Sequence, residues 1–175
     1  GDMSTGTDTF TGVFSVRGSS YADTFHGSNN PSGSAEEFEG RGGNDLIDGG
    51  GGFDRARYDG AVDGVGILVN LADGTVSGGS DTGTDTLRSV EAIWGTNYDD
   101  TYNAAGFTAS STNAGSAGAN GSGAAFNEFE GGGGSDTVIG NGNTRVTYVH
   151  ANSGVTVTLG SSGSGDAYGD SSVGH

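Results

Sequence analysis

Length, composition and charge set narrow limits on this chain. It has 175 residues, of which 38 are Gly, one is Pro and none is Cys, and only 31% are apolar, so an ordinary globular core is not expected. The formal net charge is −16 and all six basic residues are Arg, which makes nucleic acid and anionic lipid poor partners. A Gly-rich, acidic composition is typical of a disordered linker, so only regular spacing of particular residues favours a fold.

The absence of Cys is compatible with an extracellular protein that metal ions stabilise in place of disulfides. No apolar run has the length of a transmembrane helix, so direct membrane insertion is not expected, and residue 1 opens no signal peptide. The chain also begins and ends within a repeat pattern. We therefore expect a fragment of a longer protein that is secreted or displayed at a cell surface.

Two similar half-units follow one another along the chain. Residues 8–25 return as residues 85–102, and residues 36–45 return as residues 127–136, at offsets of 77 and 91. The extra length of the second half-unit is a Ser/Gly/Ala/Asn run at about 104–125, which is typical of an exposed loop. Such self-similarity indicates stacked units, and we divide one continuous solenoid domain into half-units at 1–84 and 85–175.

The end of the sequence resembles its beginning. Residues 169–175 match the pattern of residues 1–7 at an offset of 168, which equals the sum of the two internal offsets. The chain is thus one full period with a short overlap. We expect the parent protein to carry this block in tandem, which makes neighbouring copies of the same repeat candidate partners.

Each half-unit has the same order of strand-forming segments, and no stretch has a convincing helical period. In the first and second half-unit respectively, these are a strand segment at 13–16 and 90–93, a degenerate nonapeptide at 18–26 and 95–103, and an alternating apolar segment at 66–71 and 154–159.

Near-consensus nonapeptides lie at 40–57, where two are consecutive, and at 131–139. Their frame is G-G-x-G-x-D-x-U-x, in which U is apolar, and Arg41 is the only departure at a specified position in the consecutive pair. The first six residues form a turn, and the last three form a strand whose side chain at U, Ile47 or Ala56, points inward. We expect two nonapeptides to form one coil of a flattened parallel β-roll, so that turns eighteen residues apart stack on one edge.

The turns have the composition of calcium sites. Their glycines allow positive φ and bring carbonyl oxygens close to an ion, while the Asp supplies a carboxylate. Six or more oxygens are needed, so two carboxylates and about four carbonyls suffice for each of roughly three or more ions. The expected carboxylate pairs are Asp23 with Asp45, Glu36 with Asp54, and Asp100 with Asp136, and Asn127 could complete a weaker site. The expected carbonyls are those of Gly40, Gly42, Gly43, Gly49, Gly51, Gly52, Gly131, Gly133 and Gly134.

The second half-unit departs from this pattern after residue 139. Thr144 or Arg145 falls in the slot that Asp54 holds in the first half-unit, and a guanidinium cannot ligate a cation. We expect this site to be missing, or Arg145 to replace the ion electrostatically.

No residue constellation for catalysis is visible. The three His residues, including His26 at an outward slot, lie outside any H-E-x-x-H setting, and no nucleophile elbow with plausible partners occurs. Residues 81–85 lack the spacing and distal Glu of an EF-hand and are better explained as a turn. We expect no enzyme activity from this chain.

Trp94 is the one aromatic residue with two open interpretations. Its counterpart is Arg17, which indicates a position that tolerates charge, so the indole could be exposed and stack on a sugar. A half-buried packing role is the preferred interpretation.

The nonapeptides at 40–57 and 131–139 make the chain resemble the RTX, or haemolysin-type calcium-binding repeat, domains. The weaker Asp-Thr-Leu-x-x-x-Glu-x-Ile-x-Gly type of segment at Asp8 and Asp85 accompanies such repeats. The resemblance implies a right-handed parallel β-roll that is exported unfolded by type I secretion and folds on meeting extracellular calcium.

Two functions fit this resemblance. The first is a calcium-stapled structural module, such as an extender, an adhesin body or a surface-layer element. The second is an accessory module of a secreted enzyme, with a glycan bound at Trp94 and the inserted loops. Tandem recurrence favours the first, because a catalytic unit gains little from concatenation.

Overall fold

The protein is all-β, as expected. The computed structural model describes residues 7–9, 11–29, 35–114, 126–160 and 164–173, and these contain fifteen strands and no helix. Across these ranges, therefore, no helix is available that could span a membrane. The strands are β1 Ser15–Arg17, β2 Thr24–His26, β3 Ala35–Glu39, β4 Leu46–Asp48, β5 Phe53–Arg57, β6 Leu68–Asn70, β7 Thr75–Ser77, β8 Thr84–Arg88, β9 Ala92–Trp94, β10 Thr101–Asn103, β11 Asn127–Glu130, β12 Thr137–Ile139, β13 Thr144–Val146, β14 Thr156–Leu159 and β15 Gly165–Tyr168.

Two large sheets contain thirteen of these strands. The first sheet has the order β1-β3-β5-β9-β11-β13 and is parallel throughout. The second has the order β2-β4-β8-β7-β6-β10-β12, in which only β7 runs antiparallel to its neighbours. From β1 to β5, and again from β8 to β13, successive strands alternate between the two sheets. Strands of both predicted half-units contribute to both sheets.

The segment at 66–88 was expected to supply a single strand before Asp85, but it fills three positions of the second sheet. β6 lies beside β10, β8 lies beside β4, and β7 joins them through two hairpins. Gly74 and Gly83 make these reversals possible, with φ of 66° and 76°. The remaining strands, β14 and β15, form an antiparallel hairpin of their own.

The core lies between the two sheets. The inward residues expected from the nonapeptide frame are buried, with Ile47, Ala56, Tyr102 and Phe129 all at 0% exposure, while Phe25 packs against the same cluster at its edge. Tyr102 of the second sheet stacks on Phe129 of the first, with ring centroids 4.8 Å apart. The period-two pattern of β4, β10 and β11 therefore places Ile47, Tyr102 and Phe129 in the core between the sheets.

The outer face of the first sheet carries a set of ion pairs. Arg55 bridges Glu37 and Glu128 at 3.1 and 3.2 Å, and Arg145 also contacts Glu128. Arg57 pairs with Glu37 at 3.2 Å. Four of the six Arg residues lie on this face, where they neutralise carboxylates that alternate with the core side chains.

The described part of the inserted loop is mostly exposed, as the composition predicted, with residues 105, 106, 108–110 and 112 exposed. Residues 115–125 lie outside the described part of the chain, but Phe107 and Asn113 are 2% and 0% exposed. The Asn113 side chain accepts a hydrogen bond from Val90 N and donates one to Val90 O, at 3.0 and 2.9 Å. An Asn in a polar run thus anchors the start of the loop to the entry of β9.

Candidate metal centre

The first glycine of each nonapeptide lies against the carboxylate of the Asp five residues later. A β-carbon on Gly40 would collide with Asp45 Oδ2, and one on Gly49 would lie 2.7 Å from Asp54 Oδ2. The same collision would occur at Gly131. Glycine is required at this position because the carboxylate oxygen occupies the space of a side chain.

The second and fourth positions of the frame have left-handed backbone, which explains why glycine is specified there. The φ angles at the second position are 71° for Arg41, 82° for Gly50 and 82° for Gly132, and those at the fourth are 121° for Gly43, 135° for Gly52 and 94° for Gly134.

Carboxylates from successive turns form a first stacked row on one edge. Asp23 N donates to Asp45 Oδ1 at 2.8 Å, and Asp45 N donates to Asp85 Oδ1 at 2.9 Å. The Tyr58 hydroxyl donates to Asp85 Oδ2 at 3.1 Å. The structure thus brings the expected pair Asp23 and Asp45 together and adds Asp85 to it.

A second row of carboxylates lies at or just before the start of strands β3, β5 and β9 of the first sheet. Glu36 and Asp54 are register partners on β3 and β5, and Glu36 N donates to Asp54 Oδ1 at 3.3 Å. Asp54 N donates to Glu91 Oε2 at 2.9 Å. The expected pair is therefore adjacent, and Glu91 extends the row.

A third row contains the expected pair of the second half-unit. Asp100 N donates to Asp136 Oδ1 at 2.9 Å. Asp100 Oδ1 itself accepts hydrogen bonds from Ile67 N at 2.7 Å and from the Thr96 hydroxyl at 2.8 Å. Ile67, the residue just before β6, therefore donates a hydrogen bond to this row.

Carboxylate and carbonyl oxygens converge on the glycine turns. The β-carbon position of Gly18 lies 2.5 Å from Asp23 Oδ2 and 2.8 Å from the carbonyl oxygen of Gly40, in the turn between β3 and β4. Oxygen donors from two successive turns thus face one small space, as a hard cation requires. The equivalent groupings are Gly95 with Asp100 Oδ2 and Gly131 O, and Gly27 with Glu36 Oε2 and Gly49 O.

The other turn glycines line the same edges. Gly42, Gly52 and Gly133 are buried, whereas Gly43, Gly51 and Gly134 are half-buried. A β-carbon on Gly42 would lie 2.8 Å from Ser80 O, and one on Gly133 would lie 2.8 Å from Ser171 O. The two half-units therefore repeat the turn packing as well as the sequence.

Among the residues that the structure describes, three buried carboxylate oxygens in these rows have no hydrogen-bond partner. They are Asp45 Oδ2, Asp54 Oδ2 and Glu91 Oε1, on residues that are 2%, 1% and 2% exposed. Leaving a buried carboxylate oxygen unsatisfied costs several kcal/mol unless a cation or a proton compensates it. The donor set, hard oxygens alone, fits calcium or a similar cation.

Burial also changes the acidity of the rows. It raises the pKa of Asp85 and Asp136 to about 7 and that of Asp100 to about 6. The pKa of Asp54 is raised to about 7 by burial and, next, by the Glu91 carboxylate, and burial raises the pKa of Glu91 to about 7. Without a cation, these groups hold protons far above the usual range of carboxylic acids.

In the second half-unit, the two positions that correspond to Glu36 and Asp54 hold neutral side chains. Asn127 and Thr144 are register partners on β11 and β13, so Thr144 holds the slot of Asp54, and Arg145 pairs outside the sheet with Glu128. Asn127 Oδ1 accepts a hydrogen bond from the Tyr102 hydroxyl at 3.0 Å, and its amide donates to Asn141 at 3.1 Å. Arg145 therefore does not reach the slot where it was expected to replace an ion.

Among the described residues, no group of three or more His, Cys, Asp or Glu side chains has metal-binding geometry. Turns of this kind would supply two carboxylates and several carbonyls to each ion, so the expected sites do not contain three such side chains.

Asp85 and Glu91 were not among the expected ligands, although the sequence carries a signal for both. Residues 83–87, Gly-Thr-Asp-Thr-Leu, match the second half of the nonapeptide frame. Residues 91–93, Glu-Ala-Ile, repeat the acidic-x-apolar order of residues 36–38. Both matches lack the preceding glycines, which is why the full frame does not detect them.

Comparison of the chain with protein-family models, with curated proteins and with solved structures gave no match.

Trp94 is half-buried and packs against His150 and Arg57. Its ring stacks on His150 with centroids 4.0 Å apart, and the Arg57 guanidinium lies 4.5 Å from the ring centroid. His150 Nδ1 lies 2.9 Å from Glu130 Oε2, so β11 holds the stacked imidazole in place. The indole is thus part of the outer-face packing of the first sheet.

Proposed function

We propose that this chain is a calcium-binding structural module of the RTX type. It folds as a right-handed parallel β-roll when its turns bind extracellular Ca²⁺. It serves as an extender, adhesin body or surface-layer element of a secreted or cell-surface protein.

The unsatisfied oxygens of Asp45, Asp54 and Glu91 are the observation that carries this proposal. Each is buried, each belongs to a stacked row, and the two aspartate oxygens point at a glycine turn with no room for a β-carbon. A protein core tolerates such groups only when a cation or a proton compensates them, and at pH values above about 7 these carboxyl groups lose their protons. Calcium is the cation of choice because the remaining donors are carbonyl oxygens and the parent protein is expected outside the cell, where calcium is abundant.

The β-roll is supported by the way in which the chain alternates between two parallel sheets. The crossings β3–β4, β4–β5 and β11–β12 are glycine turns, whereas the β8–β9 crossing, residues 89–91, has no glycine and Ser89 there has a φ of 50°. In this arrangement, each ion at the turns would be held by two successive carboxylates of a row: Asp23 with Asp45, Glu36 with Asp54, and Asp100 with Asp136. Asp85 and Glu91 continue the first two rows and would pair in the same way with Asp45 and Asp54.

Calcium binding to point variants tests the role of the rows. We expect Asp45→Asn and Asp136→Asn each to weaken calcium binding by about tenfold or more. Mutating a residue that only supports a metal ligand already lowers metal affinity by about this factor, and these residues are proposed as ligands themselves. The double variant Asp45→Ala with Asp136→Ala should stay unfolded when calcium is added. Equilibrium dialysis gives the affinity, and circular dichroism gives the folded fraction.

Asp73→Asn is the matched control, because Asp73 is exposed and lies outside the three rows. It should bind calcium like the unaltered chain. Equal affinity in the control and in both row variants would contradict the proposed sites.

The alternative of a glycan-binding accessory module is not proposed. It depends on an indole that is open to stack on a sugar, and Trp94 already contacts His150 and Arg57 across its ring.

A further inference from the structure

The β14–β15 hairpin lacks the neighbours that its counterpart has. By sequence it corresponds to β6–β7, which lie between β10 and β8 in the second sheet, whereas β14 and β15 pair only with each other in the described part of the chain. The exposure differs accordingly. Val69 and Leu71 are both 0% exposed, but their counterparts Val157 and Leu159 are 50% and 79% exposed.

The missing neighbours have counterparts at the other end of the molecule. At the offset of 77 residues, β8, β9 and β10 correspond to residues 7–11, β1 and β2. β1 and β2 are edge strands with one neighbour each, and residues 7–9 and 11 are exposed and belong to no strand. Val13 and Phe14 are 46% and 67% exposed, although their counterparts, Val90 and Glu91, are buried.

Hydrogen-bonding groups at the two ends are complementary in the same way. In the interior, Asp85 accepts hydrogen bonds from Tyr58 and from Asp45 N. Their counterparts at the end are the Tyr148 hydroxyl and Asp136 N, which have no hydrogen-bond partner within the described ranges. The counterpart of Asp85 is Asp8, which is exposed.

We propose that the end formed by β12, β13 and the β14–β15 hairpin, the tail, docks onto the end formed by residues 7–9 and 11–14, β1 and β2, the head, of a second copy of this chain. The register between the two copies follows from the interior strand pairs β4–β8, β5–β9 and β6–β10, whose counterparts meet at the proposed contact. It places Thr137 beside Thr9, Val146 beside Val16, and Thr158 beside His26 of the second copy.

At the proposed contact between copies, which we call the junction, an apolar contact replaces a pair of carboxylates that is present in the interior of the molecule. In the interior, Asp54 N donates to Glu91, and both carboxylates carry an unsatisfied oxygen. At the junction, Thr144 and Phe14 hold these positions, so the buried charge is replaced by an aromatic ring. The Tyr148 and Asp8 contact is retained, which gives the junction both an apolar and a polar component.

Head and tail are different surfaces, so the contact is heterologous and does not close on itself in a dimer. Copies add in a line and extend both parallel sheets. The inference rests on the proposed structural role and names its partner, but the complementarity of the ends does not depend on which cation fills the turns.

Complementation between end variants tests this docking. Val157→Asp with Leu159→Asp alters the tail and leaves the head intact, whereas Val13→Asp with Phe14→Asp alters the head and leaves the tail intact. All four residues are at least 46% exposed, so the fold should tolerate these changes. Light scattering after size exclusion, in calcium, should give concentration-dependent chains for the unaltered protein, monomers for each variant alone, and a one-to-one dimer for the mixture.

Val62→Asp with Val65→Asp is the matched control. It places two charges at residues that are 79% and 46% exposed and belong to neither end, so it should assemble like the unaltered chain. A folded, monomeric unaltered chain at all concentrations would overturn the docking, and so would a mixture that stays monomeric. Circular dichroism on the same samples separates this result from a failure to fold with calcium, which would count against the proposed function instead.

Cysteine crosslinking tests the register, since the chain has no native Cys. Thr158→Cys mixed with His26→Cys should form an intermolecular disulfide under mild oxidation. Thr158→Cys mixed with Asp48→Cys, an interior position one strand away from β2, should not. Equal crosslinking of both mixtures would overturn the proposed register.

Discussion

Arg41 occupies a backbone position that favours glycine. Its φ of 71° is left-handed, and the equivalent residues of the other two nonapeptides are glycines with φ of 82°. The left-handed conformation costs a residue with a β-carbon about 1–2 kcal/mol. Glycine avoids this cost, but it loses more conformational entropy on folding, which offsets part of the gain. We expect Arg41→Gly to raise the free energy of unfolding in saturating calcium by about 0.5–1 kcal/mol.

Urea denaturation measures this change, and Arg41→Ala is its control. The alanine variant removes the same charge and side chain but keeps the β-carbon, so it should show no gain. A gain of equal size in both variants would attribute the effect to the side chain and not to the backbone.

Single residues also show what the sequence could and could not predict. Asp45 and Asp54 were predictable because the glycines around them fix both the turn and the place of the carboxylate. Asp85 and Glu91 reach the same rows without those glycines, since neighbouring strands hold them in register. Their role becomes visible only when the pairing of the strands is known.

At the scale of elements, the short strands of the nonapeptides follow from a local rule of glycine turn and alternating side chains. The placement of β6, β7 and β8 does not. Their order along the chain is reversed in the second sheet, where β8 joins β4 and β6 joins β10. This choice depends on contacts between residues far apart in sequence, which local periodicity cannot encode.

The carboxylate rows make the calcium-free fold sensitive to pH. The pKa values of Asp54, Asp85, Glu91 and Asp136 are raised to about 7 in the fold, whereas the unfolded chain has the ordinary values of 3.8 and 4.5. The folded chain therefore binds more protons between these limits, so its stability is greatest below about pH 4 and is lost as the pH rises through 7.

In chelator, we expect a larger β signal in circular dichroism at pH 5 than at pH 8. In excess calcium the order should be reversed, because protons and calcium compete for the same carboxylates. A calcium-free β signal that grows from pH 5 to pH 8 would be inconsistent with buried, protonated rows.

At the scale of the whole molecule, repulsion between the many negative charges opposes folding. The net charge of −16 is concentrated in a chain with few apolar residues, and the described structure buries several of its carboxylates in rows. At the proposed sites, each bound Ca²⁺ would offset two negative charges and compensate the unsatisfied oxygens. Folding and calcium binding should therefore be one event, in which the roll forms only where the ion is abundant.

A calcium titration of the purified chain, followed by circular dichroism with magnesium as the control, tests this coupling most directly. We expect a cooperative gain of β signal between about micromolar and millimolar calcium, which magnesium does not reproduce. An unchanged spectrum on addition of calcium, and again on addition of chelator, would contradict calcium-coupled folding and the site assignments with it.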